Sequence, residues 1–549
     1  MRAIAVFLLS ICCSLSCGSA MAAGEVIGGV DGFGTDASGN PVLSGWICQV
    51  GNPAPIQLDL YLNQPYSPQA GASGFFVGRF AANQPSEPAI ASQCGTSGAN
   101  YRFAVTLASN QYLAGSSVFA YGILPTGGTQ LSAGASFRIP ANPNGAVHPG
   151  SVATGAPLVV YDTFYDSGAG CAPLIDTALY PISFASSDGN GVLVKFPVLS
   201  DDGRDLNYLV TGQINGQGAE VQPFHANCTP VLASPQNPDS NAFEGNMWLA
   251  GFYKAANGDV FSLVHNEYYG GHYPDANFLI PSSAGCSLGQ PAGTPINALG
   301  CTYASLSIAR MPAGSSGFSL IGATPQHVVA RPQAAYAPNL GRPTGYFTNT
   351  NIVSGGDGYG YALTVDNLAS GGDRRCPIRT PDITNPAAWK GWDGSAYTVD
   401  TPHGADCVDA NGLGGIFPFY VGYSTTFQAY IVVGAAPSSS AANAPAMIAY
   451  ALSKDFVHWS QPVSFGVPIF NSSPATGWTA NNYASLLDVG QIQNSQDDRA
   501  STGALVGQAP WLVFQQRYVC TSAQDPACPP AGQPPRTRYT AVPLSFSSQ

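Results

Sequence analysis

The chain has 549 residues and a formal net charge of −12, and only 9% of its residues are charged. That balance argues against nucleic acid and anionic membrane surfaces as partners and suits a neutral or cationic ligand. With 64 Gly, 45 Pro and 11% aromatic residues, and little helical periodicity, the sequence reads as an all-β protein with short strands between Gly, Pro, Asn and Asp turns.

The first residues, "MRAIAVFLLSICCSLSCGSAMAAGEV", place one Arg before an apolar run from Ala3 to Leu15, followed by small residues ending Ala20-Met21-Ala22. This is the pattern of a secretory signal over residues 1–22, with an apolar run too short to span a bilayer. Secreted or periplasmic localisation is expected. Three of the 13 cysteines fall in that segment. The others, an even number in an exported chain, point to disulfides rather than to redox thiols. Proximity in the sequence suggests Cys48–Cys94, Cys171–Cys228, Cys286–Cys301, Cys376–Cys407 and Cys520–Cys528, although spacing alone does not fix connectivity. The histidines are scattered and no C-x-x-C occurs, so no metal site is expected.

Residues 25–140 contain "QLDLYL" and "YRFAVTL", whose apolar residues alternate with period two, as half-buried strands require. A small β-sandwich module is expected there. Its phrases "GWICQVG", "EPAIASQCG" and "YRFAVTL" resemble an accessory module carried by secreted bacterial proteins, a resemblance that implies no chemistry of its own. Trp46 reads either as a sugar-facing ring or as a core residue beside a Cys48–Cys94 bridge. The Pro-, Gly- and Asn-rich stretch around residues 141–155 reads as a linker.

From residue 156 to 549 a turn followed by a very apolar strand recurs: "SDGNGVLVKF" from Ser187, "ANGDVFSLVH" from Ala256, "GGDGYGYALTV" from Gly355, "STTFQAYIVVG" from Ser424 and "GQAPWLVFQQRY" from Gly507. Aromatic strands such as "MWLAGFYKA" and "GYFTNTNIV" precede most of these turns, and further strands such as "MIAYALSKDF" follow. Five units of three or four strands are the arithmetic of a five-bladed β-propeller.

Two phrases carry a resemblance. "ALSKDFVHWS" holds S-x-D-x-x-x-W in Ser453, Asp455 and Trp459, with a longer variant in "IRTPDITNPAAWKGWDG". "IDTALYPISFASSDGNGVLVKF" opens the first unit with Asp176 ahead of an Asp188-Gly189 turn. Both resemble five-bladed glycoside hydrolases of the arabinanase, xylosidase and fructosidase types. The resemblance implies a secreted enzyme acting on a furanose- or pentose-containing polysaccharide, with carbohydrate as its partner. It gives Asp176 the role of base or nucleophile, and the Ser-x-Asp phrase a blade-closing turn whose Trp packs between blades. No organic cofactor is implied, though the hub of such a propeller can hold a structural Ca²⁺; no EF-hand-like loop is present.

The sequence departs from that family where a third-blade Glu serves as general acid, because the matching position is Asn349. An amide cannot give up the proton. Glu267 in "SLVHNEYYGG" is the replacement candidate, flanked by His265, Tyr268 and Tyr269, which would desolvate it and raise its pKa. The alternative for Glu267 is a strand-end carboxylate paired with a basic residue, and for Asp176 a turn-forming Asp. Arg342 and Arg379 read as ligands for substrate or as braces within a blade. The rival function is a non-catalytic carbohydrate-binding or adhesion propeller.

Overall fold

The computed structural model describes residues 24–62, 65–67, 75–108, 116–125, 127–131, 137–140, 142, 144, 147, 149–162, 174–176, 182–185, 192–200, 206–215, 220–268, 302–337, 342–413, 415–437, 446–469, 477–480, 483–495, 497, 499–500, 503–519 and 537–547. The expected signal segment, Tyr269, and Cys171, Cys286, Cys301, Cys520 and Cys528 lie outside these residues. Strands dominate, and the α-helices among the described residues are the six-residue segments Pro88–Gln93 and Val489–Asn494. The protein is all-β.

The chain divides into two compact units. One comprises residues 1–34, 42–105 and 117–137, and the other residues 35–41, 106–116 and 138–549. The first contains two four-stranded sheets. One orders Val26–Thr35, Pro41–Gln49, Asn100–Thr106 and Gln84–Pro85; the other orders Phe75–Ala81, Gln57–Leu62, Val118–Leu124 and Gly127–Gln130. Their inner faces meet, since a Cβ at Gly122 would fall 2.1 Å from Ile47 and 2.6 Å from Val26 of the opposite sheet. Cys48 and Cys94 form a disulfide with a Cα separation of 6.1 Å. Trp46 packs half-buried against that bridge and Tyr101, which is the core reading of this residue.

The second unit contains a succession of antiparallel meanders. The first runs from Leu174–Asp176 and Ile182–Ala185 through Val192–Ser200 and Leu206–Ile214 to Glu220–Ala233. Next come Asn246–Lys254, Val260–Tyr268 and Tyr303–Met311, then Thr344–Asn349, Gly360–Asn367 and Asp373–Thr380. A two-residue parallel pairing, Tyr303 with Thr344 and Ala304 with Gly345, joins these two meanders into one eleven-stranded sheet. Phe417–Ser424, Ala429–Pro437, Ala446–Ser453 and Val463–Pro468 follow. The last sheet pairs Trp511–Val519 and Thr537–Ser547 with Leu158–Asp162 from the other end of the unit.

The first strands of neighbouring meanders touch in sequence. Asn246–Lys254 contacts Thr344–Asn349, which contacts Phe417–Ser424, which contacts Ser485–Leu487, and the helix Val489–Asn494 returns to the first meander. First strands inside, a cyclic order, and closure by a strand from the opposite chain end make this a β-propeller. The sequence produces it by making both faces of each sheet apolar. Leu209 and Val231 pack with Met247 and Val264, while Val353 and Tyr361 pack with Val421 and Trp459. Close approach of first strands needs Gly251, where a Cβ would stand 2.0 Å from the Thr350 carbonyl oxygen.

The stretch expected to be a linker differs from that reading. Residues 151–154 form a strand paired with Leu544–Ser547, and the Asn142 N–H donates to Asp455. A Pro- and Gly-rich composition hides both contacts because neither depends on apolar periodicity.

Candidate functional site

The stretch around Glu267 becomes interpretable through register. On the paired strands Asn246–Lys254 and Val260–Tyr268, Asn246 faces Glu267 and Trp248 faces His265. Directly opposed residues, and residues two apart along a strand, share a sheet face. Asn246, Trp248, His265 and Glu267 therefore form one polar-aromatic patch at the beginning of a first strand. The His265 Nε2 lies 3.4 Å from a Glu267 carboxylate oxygen, and that glutamate is only 8% exposed. The imidazole sits between rings, 5.3 Å from Trp248 and 5.7 Å, edge-on, from Phe347 of the next meander.

Burial pushes the His265 pKa down to about 3. The ring is therefore neutral through the physiological range, and its approach to Glu267 is a contact between a carboxyl group and an uncharged imidazole, not an ion pair. Three buried polar atoms of this patch have no hydrogen-bond partner among the described residues: Asn246 Oδ1, Trp248 Nε1 and His265 Nε2. Native interiors leave few such atoms, and their grouping beside a carboxylate makes this patch the candidate site. Backbone strain lies alongside. Thr348, a β-branched residue, sits at φ +40° in a bulge between Phe347 and Asn349.

The other expected residues have diverse positions. Asp176 closes the strand Leu174–Asp176 opposite Leu199; its side chain lies outside the described atoms. Tyr268 follows Glu267, so the pleat turns it to the other face, where its hydroxyl donates to the Pro238 carbonyl and its ring packs 4.9 Å from Tyr336. Arg342 donates to the Gly372 carbonyl at the turn ending its sheet. Asn349 is fully buried, with its amide nitrogen on the Thr350 carbonyl. Arg379 lies 3.7 Å from the Asp357 carboxylate and over the Tyr359 and Tyr397 rings, at 4.1 and 4.5 Å, so it braces its blade.

Asn246 and Trp248 were not legible as site residues, nor was the buried setting of Asp366. The first two are exposed as such only by strand register. Asp366 faces Tyr346 across the third meander, and its pKa is pushed up to about 7 by burial and by nearby Asp406, against the pull of Arg374. Strongly shifted carboxyls concentrate at functional positions. Among the described residues, no group of three or more His, Cys, Asp or Glu is placed to hold a metal ion.

No protein-family model matches the chain, and no curated protein matches it. Solved structures do align with it. The catalytic domain of a Coprinopsis cinerea GH62 α-L-arabinofuranosidase is 10% identical, covers 73% of this chain and 99% of its own, and has a TM-score of 0.37. The α-L-arabinofuranosidase of Podospora anserina, in complex with cellotriose, is 10% identical over 73% of this chain and 98% of its own, at a TM-score of 0.35. A protein of unknown function from Dyadobacter fermentans is 10% identical over 72% and 99%, at 0.36. At such values the functional argument belongs to this chain's own residues.

Proposed function

We propose that the protein is a secreted, five-bladed propeller glycoside hydrolase acting on a furanose- or pentose-containing polysaccharide. The observation that carries the reading is the Glu267 carboxyl 3.4 Å from a neutral His265, on one face with Asn246 and Trp248, whose Oδ1 and Nε1 have no hydrogen-bond partner among the described residues. A sugar presents ring C–H groups to an indole and hydroxyls to amide, imidazole and carboxyl groups. In this reading Glu267 donates a proton to the glycosidic oxygen as the C–O bond breaks, and Asp176 activates water or attacks the anomeric carbon. His265, held uncharged by burial, orients Glu267 without competing for its proton.

Release of reducing sugar from a panel of arabinan, arabinoxylan, xylan and fructan tests it. Glu267→Gln and Asp176→Asn should each lower turnover on the cleaved glycan by about 10²- to 10⁴-fold with little change in melting temperature. Equal loss of stability and activity in Glu267→Gln makes the glutamate a structural strand-end residue instead. Asn349 supports the second reading, a sugar-binding propeller without hydrolysis, because an amide stands where the resembling enzymes carry their acid. Binding without release of sugar by the unaltered protein decides for that reading.

A further inference from the structure

The sheet of the smaller unit that contains Gln57–Leu62 has two unlike faces. Leu58, Leu60 and Leu62 are completely buried on one. The alternate residues Asp59 and Tyr61 point the other way, with Asp59 opposite Arg79 and Tyr121, and Tyr61 opposite Phe76. Asp59, Tyr61, Arg79 and Tyr121, together with Tyr66, line a concavity of about 690 Å³, of the size that accommodates a small ligand.

Its floor is a fixed polar fork. The Arg79 Nε and a terminal nitrogen donate to the two Asp59 oxygens at 2.6 and 2.7 Å, with Asp59 buried and the Arg79 side chain 55% exposed. Three tyrosine rings, those of Tyr61, Tyr66 and Tyr121, form part of its wall, and Phe76 packs beside Tyr61. Tyr61 lies 5.6 Å from Tyr66, 5.2 Å from Phe76 and 5.7 Å from Tyr121. Tyr66, on the wall, remains 52% exposed, and Phe76, beside Tyr61, 48%, a large aromatic surface to leave in water. The Tyr121 hydroxyl, which accepts from the Tyr66 N–H and donates to Gln130, sets the position of the Tyr66 backbone.

We propose that this concavity is a second carbohydrate site, taking a short stretch of a neutral polysaccharide. The π-faces suit the C–H face of a sugar ring, and the planar guanidinium, held in place by Asp59, has donors left for its hydroxyls. Because Asp59 already neutralises Arg79, the floor offers no net positive charge, and the −12 net charge of the chain further disfavours a polyanion. The proposal does not rest on the hydrolase reading, since none of these residues belongs to the Glu267 patch.

Affinity electrophoresis of the intact protein carrying Glu267→Gln, in native gels containing neutral arabinoxylan, arabinan or β-glucan, tests it. Retardation is expected on at least one glycan. Tyr66→Ala should raise the apparent Kd for that glycan about tenfold, as expected for loss of one stacked ring, and Tyr66→Phe should retain it. Such a result stands whether or not the protein hydrolyses any glycan. Equal retardation with and without Tyr66→Ala, or none on all three glycans, overturns the proposal. So does a Tyr66-dependent dimer in sedimentation, which would make the face a contact between two copies of the chain.

Discussion

Two histidine–carboxylate contacts in the larger unit use the same two side-chain types to opposite ends. His458 Nδ1 lies 2.7 Å from Asp455, whose oxygens also accept from the Val457, His458 and Asn142 N–H groups and from the Ser453 hydroxyl. There the hydrogen bond to Asp455 outweighs burial and raises the histidine pKa. At 3.4 Å from Glu267, His265 is governed by burial alone and its pKa falls. In the first contact the carboxylate is saturated by backbone donors, as a turn requires. In the second, polar atoms near the carboxyl have no hydrogen-bond partner among the described residues, as expected of a candidate binding site. The amount of hydrogen bonding left over, rather than the residue pair, separates architecture from chemistry.

The largest test of this contrast is thermodynamic. Asp455→Ala strips the donors of its turn of their acceptor, and should cost about 3 to 5 kcal/mol by denaturant unfolding, the range for breaking a buried, paired charge. Phe456, at φ +67° in the same turn, adds to that sensitivity because only the surrounding bonds hold it there. His458→Gln should cost less, about 1.5 to 3 kcal/mol, the worth of one hydrogen bond to a charged group. Glu267→Gln should fall below both. A Glu267→Gln penalty equal to that of Asp455→Ala would erase the distinction and return Glu267 to the framework.

The architectural half was the more legible in sequence. Ser453, Asp455 and Trp459 announce their turn because its hydrogen bonds are local, spanning two or three residues, and Trp459 packs between neighbouring sheets in the way the phrase implies. The pairs Cys48–Cys94 and Cys376–Cys407 are likewise close in the chain, and both form. Cys228 is disulfide-bonded too, while its expected partner Cys171 lies outside the described residues. Glu267 and His265 stood out as polar residues at the end of an apolar run. Asn246 and Trp248 did not, because their relation to Glu267 exists only once two strands pair in one register. A one-residue slip would put them on the opposite face. Asp366 was hidden for a similar reason, since its raised pKa comes from burial and from Asp406, 40 positions away in the sequence. The contacts of Asn142 and Ser116 escaped because each joins a bond partner hundreds of residues distant, Asp455 and Asp357 respectively.

The smallest effect is the sharpest, because the two histidines should bend stability with pH in opposite senses. His458 has a folded pKa above the unfolded value of about 6.5, so its contribution is complete below that value and is lost as pH rises through the folded one. His265 has a folded pKa of about 3, so the unfolded chain takes up a proton that the folded chain refuses. Its contribution is complete above about 6.5 and is lost as pH falls toward 3. His265→Phe should therefore flatten the acid limb of the stability profile, and His458→Gln the limb that begins above about 6.5. Imidazole NMR gives the direct reading: one resonance should titrate above 6.5, removed by His458→Gln, and another should stay neutral down to about pH 4, removed by His265→Phe. Should the His265 resonance titrate near 6.5, the ring carries charge beside Glu267, the two contacts are of one kind, and the orienting role of a neutral imidazole at the candidate site is lost.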